Sequence, residues 1–366
     1  MNRIFKIFGI LTLGMLFANC EGDEPAGPEP ARPHSEVYAE NLAIIEEYLH
    51  EAYIDVSRNA NGDVTSVVID TLNPALDPDH TVSIWDQTEY PLQSKIVKLH
   101  GVNFKVYYLK LDNKGDTEAD GNKPCGVDRV LTSYWGKSLS KILKNKPEPH
   151  WIFSTPRFDY APNPVEFNLI DVVKGWEYMF PEFRAGFFGP ENPDNPGALN
   201  SVNFGSGVMF LPSGLGYYNQ NQSNIPQYAP LVFAFNLHAV TYLDQDFDKI
   251  ESRYEYGFKS DGSLIDTDSD GIPDIFDADD DNDGYLTKNE IKHTITVKDY
   301  TVTPMTVTEY TYYYPFHGAV ADDPATVVNE AQGIPDCSLD YTTSTRKRRH
   351  LDKTCRTPIK EEVIKN

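Results

Sequence analysis

The sequence predicts an α+β chain, and three observations predict it. Residues 36–53 place Tyr38, Leu42, Ile45 and Leu49 at helical spacing with acids between them, the pattern of an amphipathic helix. From Ile96 onward come runs of aromatic and β-branched residues, the clearest being Phe104-Lys105-Val106-Tyr107-Tyr108-Leu109-Lys110-Leu111, which suits strands. Residues 261–290 then hold eleven Asp or Glu against a single Lys, ahead of a Thr-, Val- and Tyr-rich run from Thr294 to Tyr314. That order reads as acidic loops leading into one or two further strands.

The chain of 366 residues is long enough for about two domains with appendages. Its 22 Tyr and 19 Phe supply the bulk for a β-rich core. A formal charge of −23 excludes nucleic acid as a partner, since that ligand demands a basic surface.

The first residues carry an address. Arg3 and Lys6 precede the apolar run Ile7 to Ala18, too short to serve as a permanent membrane span. The run ends in Phe17-Ala18-Asn19-Cys20, which resembles the lipobox of bacterial lipoproteins, with Asn19 departing from the usual small residue. The resemblance implies cleavage before Cys20 and its lipidation; the alternative is an ordinary secretion signal. The Pro- and Gly-rich stretch to Pro33 reads as a tether. Its acidic beginning, Glu21-Gly22-Asp23-Glu24, is similar to surface-export signals, so the expected location is the cell envelope, outer membrane, on the periplasmic or surface side.

Along the helix-to-strand region, Asn61-Gly62, Asn73-Pro74 and Asp77-Pro78 mark loops, and Val64 to Ile69 is a candidate strand. A second central strand, Arg129 to Tyr134, ends in Tyr134-Trp135-Gly136. Downstream, Phe158-Asp159 precedes Pro164-Val165-Glu166-Phe167-Asn168-Leu169-Ile170-Asp171-Val172-Val173-Lys174-Gly175-Trp176, a strand running into a turn and a short helix. Then follow Leu211-Pro212-Ser213-Gly214-Leu215-Gly216-Tyr217, Asn224-Ile225-Pro226, and Ala229-Pro230-Leu231-Val232-Phe233-Ala234-Phe235.

Over residues 99–240 this order resembles the FKBP-type peptidyl-prolyl isomerases. The resemblance implies an antiparallel sheet wrapped on a short helix, and a proline pocket with Trp176 as its floor. Tyr134, Phe158, Val165, Ile225 and Phe233 would form walls, with Tyr134 preferred to Tyr108 and Phe158 to Phe153. Asp159 would accept hydrogen bonds at the edge, Val172 and Val173 would meet the substrate backbone, and Tyr217 would donate to its carbonyl. Isomerisation itself calls for no cofactor. Three features depart from the family pattern: Ile170 stands in place of a glycine, residues 187–206 look inserted, and the loop from Tyr218 to Ser223 is polar throughout.

In the acidic segment, Asp279, Asp281, Asp283 and Glu290 fall at positions one, three, five and twelve of a loop with Gly284 at six and Tyr285 at seven. This is the EF-hand pattern of oxygen ligands, with the seventh residue contributing its carbonyl. Asp266, Asp268 and Asp270 repeat it before Gly271, with Asp274 and Asp277 beyond. Pro273 removes an N–H needed to pair two EF loops, so the segment is more similar to thrombospondin type 3 repeats. Calcium is the expected structural cofactor; a solvated acidic linker is the alternative.

Cys337 and Cys355 are candidates for a disulfide, with zinc bound alongside His350 as the rival, and Cys125 is left over. The basic run Arg346-Lys347-Arg348-Arg349 is expected to face the acidic segment or anionic surface material. The expected organisation is therefore a signal peptide over 1–19, a tether over 20–35, and a helical and loop extension over 36–94. An isomerase domain over 95–245, calcium repeats over 261–292 and a C-terminal extension over 293–366 follow. The function implied is isomerisation of proline-containing polypeptide clients at a membrane to which Cys20 anchors the chain. The alternative is a non-enzymatic, calcium-stabilised binding or adhesion module.

Overall fold

The computed structural model describes residues 30–366 apart from 74, 116, 190–200, 317–332 and 341–342. The signal peptide, Cys20 and most of the tether lie outside the described residues. The chain is mixed, with mostly antiparallel sheets and few helices. Its elements run α1 (His34–Glu51), β1 (Ala52–Arg58), β2 (Val64–Thr71), β3 (Gln93–Leu99), β4 (Val102–Lys110), β5 (Arg129–Ser138), β6 (Ser140–Lys144), β7 (His150–Ser154) and β8 (Arg157–Asn168). Next come α2 (Lys174–Met179), β9 (Phe187–Phe188), β10 (Ser201–Val202), β11 (Gly205–Leu211) and β12 (Leu231–Thr241). The last are α3 (Thr287–Glu290), β13 (Lys292–Asp299), β14 (Thr306–Tyr313) and β15 (Ile359–Lys365).

The centre is a six-stranded antiparallel sheet in the order β3-β4-β11-β12-β5-β8. Its inner strands are apolar on both faces, because alternate residues feed two different cores. On β12, Leu231, Phe233, Phe235 and Leu237 face one core and Val232 and Ala234 the other. On β11, Met209 and Leu211 alternate with Val208 and Phe210 in the same way. The first core is closed by α2, through Trp176 and Met179, and by Phe180 just after it. The second is closed by α1, through Ile45, Tyr48 and Leu49, together with the β1–β2 hairpin and Ile84.

That second layer explains residues 36–94. They cover the back of the sheet, which would otherwise expose Phe210, Leu109 and Val232 to water. Trp135 on β5 donates its indole Nε1–H to the Val67 carbonyl at 3.1 Å, pinning the hairpin to the sheet. The stretch expected as an insertion is described only at its ends, where β9 and β10 pair as a short hairpin.

The C-terminal part forms a three-stranded sheet in the order β14-β13-β15, with β13 and β15 parallel. Its small core holds Ile250, Ile291, Tyr314, Ile334 and Ile359. Cys337 and Cys355 are joined by a disulfide, with Cα atoms 5.5 Å apart. His350 is buried, where desolvation holds its imidazole near pKa 3. The basic run folds back here. Arg346 donates to the Ile334 carbonyl at 2.8 Å, Arg348 lies 3.8 Å over the Phe316 ring, and buried Arg349 bonds the Thr357 carbonyl. Burial pushes the Cys125 thiol up to about 12, with Asp128 adding to the shift, which leaves it unreactive. Among the described residues no helix is long and apolar enough to cross a membrane.

Candidate active site

The turn after β8 delivers the floor of the site. Leu169–Asp171 form one 3-10 turn, Val172 is extended, and Val173 caps α2, whose first residues are Lys174-Gly175-Trp176. Gly175 is required by close approach: a Cβ there would stand 2.3 Å from Leu211 Cδ1, so any side chain would lift the helix off β11. Trp176 is thereby pressed onto the sheet, 3 % exposed, with its indole N–H buried and without a partner among the described residues.

Rings from three separate strands converge on that indole. Centroids lie at 5.0 Å for Tyr134, 5.3 Å for Phe233 and 5.5 Å for Phe167, each near perpendicular to Trp176. Phe158 meets Phe233 at 5.6 Å and Tyr217 at 6.4 Å, again edge to face. Such contacts add about 0.5–1.5 kcal/mol each beyond area burial. Gly136 makes the closure possible, since a Cβ at that position would sit 2.6 Å from Phe158 Cζ and 2.8 Å from Phe233 Cε1. Ile225 is 4 % exposed in the same cluster, and Val172 and Val173 pack against it.

Two polar groups sit among these rings. Tyr134 Oη donates to Asp159 Oδ2 at 2.5 Å. Burial first, and Asp159 second, raise the Tyr134 phenol, and the same two causes raise Tyr217. Both hydroxyls therefore stay protonated and able to donate at any physiological pH.

Of the ten pocket residues named from sequence, nine come together and Val165 stands apart. It lies opposite Thr132 on edge strand β8 and is 37 % exposed, outside the packed cluster. Phe167, two residues on, occupies the cage instead. The two share a face of β8 and differ in their neighbours, Phe167 lying opposite the core residue Val130; beyond Val165 the pairing is irregular. Thr132 pairs with Val165 but Tyr134 with Ala161, so Pro162-Asn163-Pro164 bulge out of register. Proline has no N–H to give a ladder and is tolerated at such an edge. Phe158 is itself the extra residue of a second bulge, between the Gly136–Asp159 and Lys137–Arg157 pairs. The aromatic that closes Pro164-Val165-Glu166-Phe167 was the available signal for Phe167.

A cavity of about 370 Å³ lies elsewhere, lined by Val67, Trp135, Lys137, Arg157, Tyr160 and Asn236 among others, and it shares only Tyr134 with the pocket residues. The polar loop does not fold over the cage. Tyr218 stacks on His34 at the start of α1, with centroids 3.9 Å apart.

The acidic loops lie beyond α2 in the chain. Carboxylate oxygens of Asp266, Asp268 and Asp270 fall within 4.8 Å of one another, as do those of Asp279, Asp281 and Asp283. Asp279 accepts from the backbone N–H of Asp283 at 3.2 Å and Gly284 at 2.9 Å, wrapping the loop round its first ligand. Asp283 accepts from the Tyr285 N–H at 2.7 Å, which fixes the Gly284–Tyr285 peptide in the same turn. Both carboxylate oxygens of Asp281 and of Glu290 are buried and without a partner among the described residues, as is Asp268 Oδ2. Burial and neighbouring acids push Glu290 up to about 9 and Asp281 to about 6. A hard cation with oxygen preference fits this donor set. Asp274 behaves differently from its sequence reading. Its two oxygens accept from the Thr267 N–H and hydroxyl, both at 2.7 Å, so it braces the first loop. Asp277, half-buried at the twelfth position of that loop, accepts from the Asp279 N–H at 2.9 Å.

Comparison with known proteins gives partial likenesses. A family model described as BamM C-terminal matches residues 245–328. No curated protein matches the chain. Among solved structures, a peptidyl-prolyl cis-trans isomerase from Pseudomonas syringae pv. tomato is similar at 20 % identity and TM-score 0.26, over 40 % of this chain and 80 % of that one. FkpA from Escherichia coli is similar at 20 % identity and TM-score 0.24, over 37 % of this chain and 48 % of its own length. The N-terminal domain of FKBP42 from Arabidopsis thaliana is similar at 13 % identity and TM-score 0.26, over 41 % and 92 %.

Proposed function

We propose that the chain is a peptidyl-prolyl cis–trans isomerase of the FKBP type, acting on proline-containing polypeptides at the cell envelope. The observation that carries this reading is the aromatic cage of Tyr134, Phe158, Phe167, Trp176 and Phe233, with two protonated phenols beside it. Rotation about a peptide bond faces a barrier of about 18–20 kcal/mol because amide resonance must be broken. The planar amide carries more charge separation than the twisted transition state, so an apolar cage disfavours the former. Lowering the barrier by about 4 kcal/mol would give roughly a thousandfold. In this reading Trp176 supports the prolyl ring, Val172 and Val173 meet the peptide backbone, and the Tyr217 hydroxyl donates to its carbonyl. Asp159 holds Tyr134 through the 2.5 Å bond.

Lipidation of Cys20 would hold the domain at a membrane through the tether. Calcium held by Asp266, Asp268, Asp270 and Asp277, and by Asp279, Asp281, Asp283, Tyr285 and Glu290, would neutralise the acidic loops; the ion is structural and takes no part in isomerisation.

One observation favours a second reading. Trp176, Ile225 and Phe233 are each under 5 % exposed, so the rings fill one another's space. A cage closed in this way would serve a non-enzymatic binding module on the same scaffold. A protease-coupled prolyl-peptide assay on the soluble 35–366 fragment with calcium separates the two. Acceleration that Trp176→Leu abolishes supports the isomerase; an uncatalysed rate at micromolar protein leaves the binding module.

A further inference from the structure

Between β12 and the first acidic loop runs Asp244-Gln245-Asp246-Phe247-Asp248-Lys249-Ile250-Glu251-Ser252-Arg253-Tyr254-Glu255, with acids at positions one, three, five and twelve. The usual glycine at position six is replaced by Lys249, which hides the pattern. The backbone nevertheless makes the same turn: φ is +65° at Phe247 and +83° at Lys249, against +52° at Asn282 and +85° at Gly284 in the loop beginning at Asp279. Asp244 accepts from the N–H groups of Asp248 at 3.2 Å and Lys249 at 3.1 Å, the same relation Asp279 has with Asp283 and Gly284.

The burial is what points to a ligand. Asp248 is 0 %, Glu255 7 % and Asp280 1 % exposed, and one oxygen from each lies within 4.8 Å of the others. Asp248 Oδ2, Asp246 Oδ2, both oxygens of Glu255 and both of Asp280 are buried with no partner among the described residues. Asp246 and Asp248 also cluster with Asp244 within the same 4.8 Å. Taking one carboxylate out of water without compensation costs several kcal/mol, and like charges so close multiply the cost. The strongest charges acting on Glu255 come from Asp248, Asp280, Asp246 and Asp274, all of one sign. No cation is among those strongest influences.

We propose that Asp246, Asp248, Glu255 and Asp280, with Asp244 closing the loop, form a third cation site, separate from the two repeat loops. A set of five carboxylates offering many oxygens to one ion suits calcium better than magnesium, which keeps several waters. Asp280 is the second residue of the loop beginning at Asp279, so its side chain leaves that loop's own centre and reaches this one. The new site thereby ties the end of β12 to the last repeat. It also reaches α2: Glu255 precedes Tyr256, whose hydroxyl donates to Glu177 Oε1 at 2.8 Å, next in sequence to Trp176.

The test counts ions on the full chain after chelation and re-equilibration with calcium alone. Glu255→Gln with Asp280→Asn, and independently Asp248→Asn, should each lose one calcium ion per chain relative to the parent. Glu290→Gln should instead lose the ion of its own loop and keep this one, so failure of the repeat reading is distinguishable. In chelator the doubly neutralised variant should melt at or above the parent, because buried repulsion is relieved; in calcium it should melt below. An unchanged ion count in both variants overturns the proposal. Hydrogen exchange on the parent needs no variant: calcium should protect residues 244–256, and an unaltered exchange rate there would equally overturn it.

Discussion

Asn41 on α1 accepts a 2.7 Å hydrogen bond from the backbone N–H of Ser213. Its amide also donates to the Tyr228 carbonyl at 2.9 Å. One buried side chain on the N-terminal helix thus closes both ends of the segment that carries Tyr217 and Ile225. Local turns, such as the Tyr218 N–H to the Ser213 carbonyl at 3.0 Å, shape that loop, and the N-terminal helix ties down its two ends. Asn41→Ala leaves a buried donor and acceptor unmatched, at a cost of about 1–3 kcal/mol. Chemical denaturation should show that loss, and isomerase kcat/KM should fall several-fold while calcium binding stays unchanged. Equal kcat/KM in the variant would separate α1 from the site.

The two phenols beside the cage have different jobs, and single-atom changes should tell them apart. Tyr217→Phe removes only the proposed donor to substrate and should cut kcat/KM about tenfold, with stability within about 0.5 kcal/mol of the parent. Tyr134→Phe removes the 2.5 Å bond to Asp159 and should cost about 1.5–3 kcal/mol of stability as well. Thermal melts and the protease-coupled assay on both variants check this. The reverse pattern would assign substrate contact to Tyr134.

Gly136 bears the Phe158 and Phe233 rings directly, with 2.6 and 2.8 Å to a hypothetical Cβ. Gly136→Ala should therefore overpack the cage by about 1–3 kcal/mol. Quenching of Trp176 fluorescence by a soluble quencher should rise as the rings part. An unchanged fluorescence and melt would mean that the rings have room to spare.

How far the site was legible in sequence follows from the same geometry. Trp176, Val172, Val173, Phe158, Tyr217, Ile225 and Phe233 sit in short motifs whose order resembles the FKBP-type isomerases, and it is that resemblance, not spacing alone, that implied their common site. Phe167 and Val165 share one face of β8, so a two-residue period could not tell which of them reaches the rings; that depends on long-range neighbours, Val130 in the core opposite Phe167. The layer behind the sheet was half visible. The helix was clear from Tyr38, Leu42, Ile45 and Leu49, but what covers Leu109 and Phe210 depends on long-range packing. Asp244 to Glu255 escaped notice because Lys249 stands where a glycine marks the pattern.

His238 on β12 offers a pH test that is independent of the acidic loops. It is 7 % exposed, its Nε2 lies 2.9 Å from Ser133 Oγ, and its Nδ1 has no partner among the described residues. Burial lowers its pKa to about 4, against a smaller opposing effect of Asp63. The unfolded chain takes up a proton near pH 6.5 that the folded chain refuses until about pH 4. Stability should therefore be lost as pH falls through that window, by up to about 3 kcal/mol. His238→Gln keeps a partner for Ser133 and should flatten the slope between pH 6.5 and 4 relative to the parent. Parallel slopes would place the proton elsewhere.

Metal removal should invert the pH dependence of the acidic segment. Glu290 and Asp281 have folded pKa values raised to about 9 and about 6, chiefly by burial. A carboxyl raised in the folded state holds a proton that the unfolded chain gives up, so its contribution to stability is present at low pH and lost as pH rises. In chelator, melting temperature should fall from pH 5 to pH 8. Calcium bound as proposed would take the place of those protons at neutral pH, and each ion at a hundred times its dissociation constant would add about 2.7 kcal/mol. With excess calcium the fall should disappear, and calcium affinity should weaken on acidification as protons compete. Glu290→Gln should reduce the slope in chelator and lower the melting temperature in calcium, opposite signs from one substitution. The same direction in both conditions would mean that Glu290 holds no ion.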